Sequence, residues 1–388
     1  MNNLLTSVVR KPISDKPYVS DGDLLSSKKI KLVDLFAGIG GFHYGIAASA
    51  AKVGKGVEPI LVSEINEICQ DVYKENHNPK EIEGDINKID LSQVSKTADV
   101  VTAGFPCQPF SNSGLKLGLS DPRGQFYFKI EEIIRKYNSK SFILENVPGI
   151  KTNGGHLQMS LLGVVNQHIG KSMQILEEHL LNLKEFHVKW IEIDSSHLGS
   201  PQVRKRIYVV GIRKDFTKNL EFEEWSYKPK RFIDIAERRK IPSLELSKNQ
   251  EENIRRGMKE SPPSFRHEMR RVGKAYSCDG GNVGQGYHAY GMVPTLTKVW
   301  SRFLPIYFPH EREINNLPKI GEREYVPNRA YGDGYIRRAS VKEVMKLQGF
   351  PLSFIPNDKD RLAYEQAGNA VNAKVVREIM DNLMRYLS

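Results

Sequence analysis

The chain has 388 residues, 39% of them hydrophobic and 27% charged, which is typical of a soluble globular protein with a large core and a second lobe. No apolar run approaches the roughly 20 residues of a membrane-spanning helix, and no signal-peptide pattern is present, so we expect a cytoplasmic protein without a membrane partner. The three cysteines have no paired spacing, which argues against a disulfide framework and against a zinc site, and we expect no metal cofactor.

The net charge of +11 is concentrated in one part of the chain. Residues 201–345 hold 29 of the 57 Lys and Arg residues but only 18 of the 46 Asp and Glu residues. This excess of 11 equals the whole net charge, so the rest of the chain is balanced. A basic region on an otherwise neutral protein favours a polyanion as partner, although an ordinary solvated surface would have the same composition.

The first predicted element is a strand over 31–36, which follows an aperiodic leader and runs into a glycine-rich stretch, 38–41. A helix over 43–51 is predicted next. This order is typical of nucleotide-like cofactor sites, because glycine lets the backbone approach a ligand and the helix start offers free N–H groups. The spacing is not G-x-G-x-x-G, and Asp34 would suit the amino-acid end of a ligand better than a phosphate.

A second predicted strand, 59–63, ends in Glu64, about 20 residues beyond the glycines, where an acid can bind ribose hydroxyls. A helix over 64–76 is predicted next, so this carboxylate could instead be a helix N-terminal charge. Asp85 and Ile86 follow, at a position suited to an adenine ring.

Cys107 follows the predicted buried strand 99–104 on a loop stiffened by Pro106 and Pro109. Open α/β sheets place their chemistry at the carboxyl ends of strands. A thiolate is the best protein nucleophile near neutral pH, and a rigid loop fixes its direction. An isolated cysteine is more often a small buried hydrophobe, but the Pro-Cys-Gln-Pro context favours the nucleophile.

A predicted helix, 126–136, and a buried strand, 141–144, lead to Glu145. In a parallel sheet, Glu145 would lie next to Cys107. A helix cap would account for a single Glu, but two reactive residue types at adjacent strand ends fit an active site better.

Polar side chains alternate in the next motif, after a predicted helix over 172–183 and a strand over 185–193. Gln202, Arg204 and Arg206 share one face of an extended chain, because side chains alternate along it. They can offer several fixed donors to one anionic or carbonyl-rich group. An exposed basic edge strand is the alternative.

The pattern changes from residue 212 to about 337, where Pro and Gly are frequent, strands are short and no βα alternation is visible. We predict a separate small domain there. Its polar, basic and aromatic residues suit base-edge and phosphate contacts, although they would equally suit an ordinary surface.

Three elements are predicted near the end of the chain. A helix over 339–347 has Ser340 as a possible N-cap and Glu343 at the capping-box spacing. The stretch 366–370 is predicted to be a loop. The last helix carries a buried stripe at i, i+4 spacing, formed by Val371, Val375, Ile379 and Leu383.

The order of these motifs resembles that of the C5-cytosine DNA methyltransferases. Residues 34–42 resemble the family's cofactor loop, 106–111 its nucleophile motif and 145–147 its acid motif. Gln202-x-Arg204-x-Arg206 resembles the motif before the target-recognition domain, 348–351 and 368–370 the two closing motifs, and Thr295-Leu296 a pair late in the recognition domain.

This resemblance implies an α/β fold, with a doubly wound, Rossmann-like sheet that binds S-adenosylmethionine and a second, smaller, irregular target-recognition domain. The division would be a flexible leader (1–29), a catalytic domain (30–211 and 338–388) and a recognition domain (212–337). The C-terminal helix would pack beside the first motif.

The resemblance also implies the reaction. A cytosine is flipped out of a specific duplex DNA site, and Cys107 attacks its C6 while Glu145 assists at N3. C5 then takes the methyl group of S-adenosylmethionine, which leaves as S-adenosylhomocysteine. Arg206 would bind the cytosine O2, while Arg204 and Gln202 would help position Glu145 and the loop.

In the cofactor site, Glu64 would hold the ribose, Asp85 the adenine amino group, Phe42 and Ile65 the adenine faces, and Asn369 the methionine end. The other residues assigned to the cofactor are Phe36, Ala37, Gly38, Gly40, Gly41, Ile86, Pro106, Phe126 and Ala370. Those assigned to DNA contact are Gln108, Ser111, Thr295, Leu296 and Arg302.

We therefore predict a monomeric DNA methyltransferase of a microbial restriction–modification system. A tRNA cytosine-C5 methyltransferase would have the same motifs and a different polymer. A catalytically silent DNA-binding relative is disfavoured by the intact set of Cys, Glu and Arg residues. A nicotinamide-dependent oxidoreductase is disfavoured by the missing G-x-G-x-x-G pattern.

Overall fold

The computed structural model describes residues 28–92, 94, 96–105, 125–148, 180, 182–225, 227–228, 230–260, 265–266, 269–272, 286–296, 304–310 and 334–387. The predicted leader and most of the helix predicted over 172–183 lie outside these residues. None of the helices in the described part of the chain has the length and apolar character needed to cross a membrane.

Among the described residues, a six-stranded sheet organises the first half of the chain. Its strands are β1 (Lys29–Leu35), β2 (Gly56–Ser63), β3 (Val100–Gly104), β4 (Ser141–Asn146), β5 (Phe186–Asp194) and β6 (Lys205–Arg213). Their order is β2-β1-β3-β4-β6-β5, with β1 to β4 parallel and β6 antiparallel to both neighbours. The carboxyl ends of the parallel strands therefore meet at one edge of the sheet.

Helices cover both faces of this sheet. The parallel strands are connected through α1 (Gly41–Lys52), α2 (Glu67–His77) and α3 (Gln125–Lys136). Val33 packs with Ile133 of α3 on one face, whereas its neighbour Leu32 packs with Ile46 of α1 on the other. Strands buried on both faces form continuous apolar runs, which is how they are recognised in the sequence. The predicted doubly wound α/β fold is confirmed.

A second sheet occupies the basic part of the chain. Its strands are β7 (Phe265–Arg266), β8 (Met269–Val272), β9 (Gly286–His288), β10 (Pro305–Phe308) and β11 (Tyr335–Arg338), in the order β11-β10-β9-β8-β7. Helix α4 (Lys248–Glu260) precedes them. The division into domains remains a prediction, and β11 runs one residue past the predicted boundary at 337.

Three helices end the described chain: α5 (Val341–Leu347), α6 (Asp360–Asn369) and α7 (Ala373–Leu387). The capping box of α5 is confirmed, because Ser340 Oγ accepts from the Glu343 N–H (3.2 Å) and the Glu343 carboxylate accepts from the Ser340 N–H (2.7 Å). Helix α7 packs against α1, and a β-carbon added to Gly45 would lie only 2.5 Å from Val376 Cβ. The C-terminal helix therefore lies beside the first motif.

The prediction of a loop over 366–370 is wrong for residues 366–369, because these residues complete α6. Gly368 and Asn369 are poor helix formers, which led to the loop prediction. Burial outweighs that propensity. Ala367 is fully buried and its carbonyl accepts from Gln348 Nε2 (2.8 Å), while Gln366 Nε2 donates to Ile68 O (3.2 Å).

The segment after β6 packs back onto α7. The Glu223 N–H donates to Asn382 Oδ1 (3.0 Å), and Trp225 packs against the hydrophobic cluster that contains Leu383 of α7. The Tyr227 hydroxyl also bonds to Glu378 of α7. Part of the region that begins at 212 is therefore attached to the first sheet.

A buried ion pair connects the second sheet to α5. Arg337 of β11 binds both carboxylate oxygens of Glu343, at 2.7 and 2.8 Å, and the two side chains are 1% and 0% exposed. Arg337 also donates to the carbonyls of Glu237 and Arg239 and lies 4.5 Å from the Phe308 ring centre. Its donors are thereby occupied.

Candidate active site

The glycine turn (residues 38–41) lies at the carboxyl edge of the sheet, between β1 and α1. The Ala37 N–H donates to Ser63 O at the end of β2 (3.0 Å), and the Gly40 N–H donates to Ala37 O (2.9 Å). Gly40 has a φ of 88°, which favours glycine, and it begins α1 without a side-chain cap. The first N–H groups of α1 therefore have no side-chain acceptor at the N-cap.

Glu64 spans this turn from the end of β2. Its Oε2 accepts from the Gly38 N–H (2.8 Å) and its Oε1 accepts from the Asn66 N–H (2.8 Å). Helix α2 begins only at Glu67, with Asn66 as the N-cap, so Glu64 lies before the helix. The alternative that Glu64 is a charge in the first turn of the helix is therefore wrong.

Asp85 is held beside the same strand end. Ser63 forms a parallel bridge with Glu83, and Ser63 Oγ donates to Gly84 O (3.0 Å). Asp85 then caps the short 3-10 helix Ile86–Lys88, with Oδ1 accepting from the Asn87 N–H (3.0 Å). The structure thus brings Glu64 and Asp85 to adjacent backbone segments.

Apolar side chains at this edge come from Phe36 and Ile65. Phe36 has a φ of 52°, which is uncommon for a residue with a side chain and is found often at functional sites. Its ring meets the Phe126 ring edge-on at 5.3 Å, and Ile65 is 73% exposed. Phe42 differs from the prediction, because it is 2% exposed and packs in the core beside Gly104.

Asn369 is exposed at the end of α6, and the chain continues through Ala370 and Val371 to the glycine turn. A β-carbon added to Gly41 would lie 2.7 Å from Val371 Cγ1, so this position requires glycine. The turn and the α6–α7 junction are therefore in direct contact.

Glu145 and Arg206 form an ion pair at the same edge. Arg206 Nε lies 3.0 Å from Glu145 Oε1, and the two side chains are 14% and 13% exposed. Glu145 pairs with Gly104 of β3 on one side and Tyr208 of β6 on the other. Burial, with a further contribution from Glu145, raises the pKa of Tyr208, which keeps its hydroxyl neutral.

Cys107 lies outside the described residues, as do Pro106, Gln108, Ser111 and Arg302. The last described residue before the cysteine is Phe105, two positions away. Asn146 Nδ2 donates to Phe105 O (3.1 Å), and Gly104 is the register partner of Glu145. The chain therefore leaves β3 next to the Glu145–Arg206 pair.

Arg204 joins three parts of the chain in a contact that we call the Arg204 seam, formed by residues 201–204, residues 293–296 and Ala370. Its guanidinium donates to Leu296 O (3.0 Å) and Ala370 O (2.9 Å), and it is 3% exposed. Thr295 Oγ1 donates to Val203 O (2.9 Å). Burial lowers the pKa of Arg204 to about 10, the Arg206 cation adds to the decrease, and Glu145 opposes it.

Gln202 belongs to the same seam. It forms a parallel bridge with Val293 and is fully buried, yet neither its amide oxygen nor its amide nitrogen has a hydrogen-bond partner among the described residues. The exposed edge-strand alternative is therefore wrong for Gln202 and Arg204. Among the described residues, Arg206 is the member of this motif that reaches Glu145.

Comparisons with known proteins agree with this arrangement. A family model described as C-5 cytosine-specific DNA methylase matches residues 30–385. The chain belongs to that family. Type II methyltransferase M.HpaII of Haemophilus parainfluenzae is 30% identical over 355 residues, which cover 90% of this chain and 88% of that protein. Type II methyltransferase M.NlaX of Neisseria lactamica is 28% identical over 358 residues, which cover 92% of this chain and 97% of that protein.

Solved structures share the fold of this cytosine-C5 methylase. EhMeth of Entamoeba histolytica matches with a TM-score of 0.65 at 19% identity, covering 93% of this chain and 100% of that chain. A DNMT2 variant of Spodoptera frugiperda matches with a TM-score of 0.64 at 18% identity, covering 92% of this chain and 100% of that chain. At these identities the likeness shows the fold alone.

A buried polar network beneath the methylase's glycine turn was missed by the sequence reasoning. Asp34 is fully buried rather than facing a ligand, and its carboxylate accepts from Thr102 Oγ1 (2.8 Å) and the Tyr73 hydroxyl (3.3 Å). Burial raises the pKa of Asp34 to about 7, and these two hydrogen bonds oppose the increase. Its position inside the apolar run Leu32-Val33-Asp34-Leu35 is the signal that indicates burial.

Within the described part of the methylase, no three His, Cys, Asp or Glu side chains are grouped so that they could hold a metal ion. The chemistry available at the carboxyl edge consists of carboxylates, one paired guanidinium, exposed apolar surface and backbone donors. These groups suit an uncharged heterocycle and a zwitterionic cofactor better than a phosphate-rich ligand.

Proposed function

We propose that this enzyme transfers a methyl group from S-adenosylmethionine to C5 of a cytosine flipped out of a specific duplex DNA site. The observation that carries this proposal is the Glu145–Arg206 ion pair beside the end of β3, at the edge that also holds the glycine turn. Its Type II methyltransferase relatives support a further proposal, that it modifies DNA within a restriction–modification system.

The residues at the glycine turn fit S-adenosylmethionine. Glu64 and Asp85 supply acceptors for ribose hydroxyls and an adenine amino group. Phe36 and Ile65 supply accessible apolar surface for the ring, and we propose Phe36 in this role rather than the buried Phe42. A β-carbon at Gly38 would meet no atom of the described residues within 4 Å, so these residues leave space open there. S-adenosylmethionine supplies an electrophilic methyl group.

The chain's own residues would activate the cytosine. Cys107 forms a bond to C6, which moves electron density towards C5, while Glu145 donates a proton or hydrogen bond at N3. After C5 takes the methyl group, a base removes the C5 proton and the C6–sulfur bond breaks, so Cys107 leaves. Arg206 would hold Glu145 in place and donate to the cytosine O2.

Arg204 and Gln202 would act in a different way from Arg206. Because the Arg204 guanidinium is bonded to two backbone carbonyls, we propose that it braces Thr295 and Leu296 against the cofactor side of the site. Gln202 would then be a buried amide whose donors and acceptor gain partners when DNA is bound. We also propose that the enzyme is a monomer, that it needs no metal ion and that it acts in the cytoplasm.

Transfer of labelled methyl groups tests the proposed function. Purified protein and methyl-tritiated S-adenosylmethionine are incubated with duplex DNA or with tRNA, and bisulfite sequencing locates any modified cytosine. We expect label in duplex DNA at one recurring sequence, and loss of label in Glu145→Gln. Label in tRNA alone would favour the RNA-modifying alternative, and no label in either would favour a non-catalytic relative.

A further inference from the structure

His77 lies directly beneath the glycine turn, at the last position of α2. A β-carbon added to Gly40 would overlap His77 Nε2 and lie 2.6 Å from its Cδ2, so the imidazole fills the space that any other residue at position 40 would need. His77 is 5% exposed. The ring therefore supports the backbone of the turn from the inside.

Aromatic rings enclose His77 on its other sides. The His43 ring of α1 stacks on it, with centres 3.9 Å apart and planes 15° apart. Tyr44 and Tyr73 lie with their ring centres 4.6 and 4.7 Å from it. Burial, together with the neighbouring His43, lowers the pKa of His77 well below its usual value, so the stacked ring is neutral.

Hydrogen bonds extend this packing to the central strands. His43 Nδ1 and the Tyr73 hydroxyl are 2.9 Å apart, and the Tyr73 hydroxyl donates to Asp34 Oδ2 of β1 (3.3 Å). Thr102 of β3 donates to the other Asp34 oxygen (2.8 Å). The glycine turn thus rests on a buried chain of side chains from β1, β3, α1 and α2.

We propose that His77 is a positioning residue for the cofactor site, which acts by holding Gly40 and the glycine turn in their binding conformation. A turn held in advance costs less entropy to order when the ligand arrives. Truncation of the ring would leave a cavity against a glycine whose backbone is unusually free to relax. This inference relies on the proposed function only for naming S-adenosylmethionine as the ligand.

Three variants of the full chain test this role. In His77→Ala the ring is lost, and we expect the Kd and KM for S-adenosylmethionine to rise about tenfold while kcat at saturating cofactor stays within about twofold. In His77→Phe the stacked ring is retained, and we expect both constants within about threefold of the wild type. Leu383→Ala is the matched control, because Leu383 is buried in α7 two residues after Asp381, which binds Ser49 and Lys52 near the end of α1 that lies opposite the turn. It should lower Tm without raising Kd.

Hydrogen exchange of the cofactor-free protein measures the turn itself. The two variants are compared at the same number of degrees below their own Tm. We expect the amides of residues 37–42 to exchange faster in His77→Ala than in Leu383→Ala. Equal exchange in the two variants, or an unchanged Kd in His77→Ala, would overturn the positioning role. If the wild type failed to bind S-adenosylmethionine, the proposed function would fail, while the exchange rates would still decide the role of His77.

Discussion

Replacement of Arg204 by Met tests whether this residue braces the seam rather than contacting DNA. The methionine keeps an unbranched side chain but removes both donors. Leu296 and Ala370 are 2% and 8% exposed, so their carbonyls would lose a donor without gaining water. A buried polar group left unsatisfied costs about 1–3 kcal/mol, so the two together cost about 2–6 kcal/mol. Removal of a buried cation offsets part of this cost.

The thermal midpoint gives the first measurement. For 388 residues the entropy of unfolding is about 0.8 kcal/mol/K, so a loss of about 2–6 kcal/mol corresponds to a decrease in Tm of about 2–7 °C. Arg204→Lys is the control, because it keeps the charge but replaces the two guanidinium nitrogens that bond Leu296 O and Ala370 O with one ammonium nitrogen on a shorter side chain. We expect its Tm to lie between those of the wild type and Arg204→Met.

The salt dependence of DNA binding gives the second measurement. A phosphate contact contributes about 0.9 to the slope of log K against log salt concentration, whereas a brace contributes nothing to that slope. We therefore expect Arg204→Met to weaken DNA binding at every salt concentration with the wild-type slope. A wild-type Tm together with a slope reduced by about one would refute the brace.

Three further predictions concern other parts of the protein. Asp34 is protonated in the folded state up to about pH 7 but ionised above about pH 4 when unfolded, so its contribution to stability is lost as the pH rises between these values. In urea titrations the free energy of unfolding of the wild type should fall by on the order of 2 kcal/mol between pH 5 and 8, and Asp34→Asn should make this decrease smaller. Arg337→Met leaves the Glu343 carboxylate buried without its cation, and should cost about 3–5 kcal/mol by the same titrations, whereas a cost below about 1 kcal/mol would show that the pair is dispensable. Chelation with EDTA should leave methyl transfer unchanged, and a loss restored by one added metal ion would contradict the proposed metal-free reaction.

The central sheet and its glycine turn were predictable because local patterns specify them. Strands buried on both faces read as apolar runs, and the residues around Ser340 and Glu343 contain a complete capping box. The end of α6 was not predictable in this way. Gly368 and Asn369 indicate a loop locally, whereas the burial of Ala367 and the long-range hydrogen bonds at Gln366 and Ala367 favour the helix.

The candidate site could be predicted as a set of residues but not as a set of contacts. Glu145 and Arg206 are distant in sequence, and the pairing of β4 with β6 brings them together. Nothing in the sequence indicates that Arg204 turns away to two carbonyls. The apolar run around Asp34 indicates that it is buried, but its hydrogen-bond partners Tyr73 and Thr102 are distant in sequence and could not be predicted.

Covalent trapping tests the central claim most directly. The protein and S-adenosylmethionine are mixed with duplex DNA that carries 5-fluorocytosine, and a denaturing gel is examined for a protein–DNA adduct. Fluorine cannot leave as a proton does, so the intermediate should accumulate with the wild type and be absent with Cys107→Ala. An adduct that persists in Cys107→Ala, or one that forms on fluorinated tRNA but never on duplex DNA, would contradict the account.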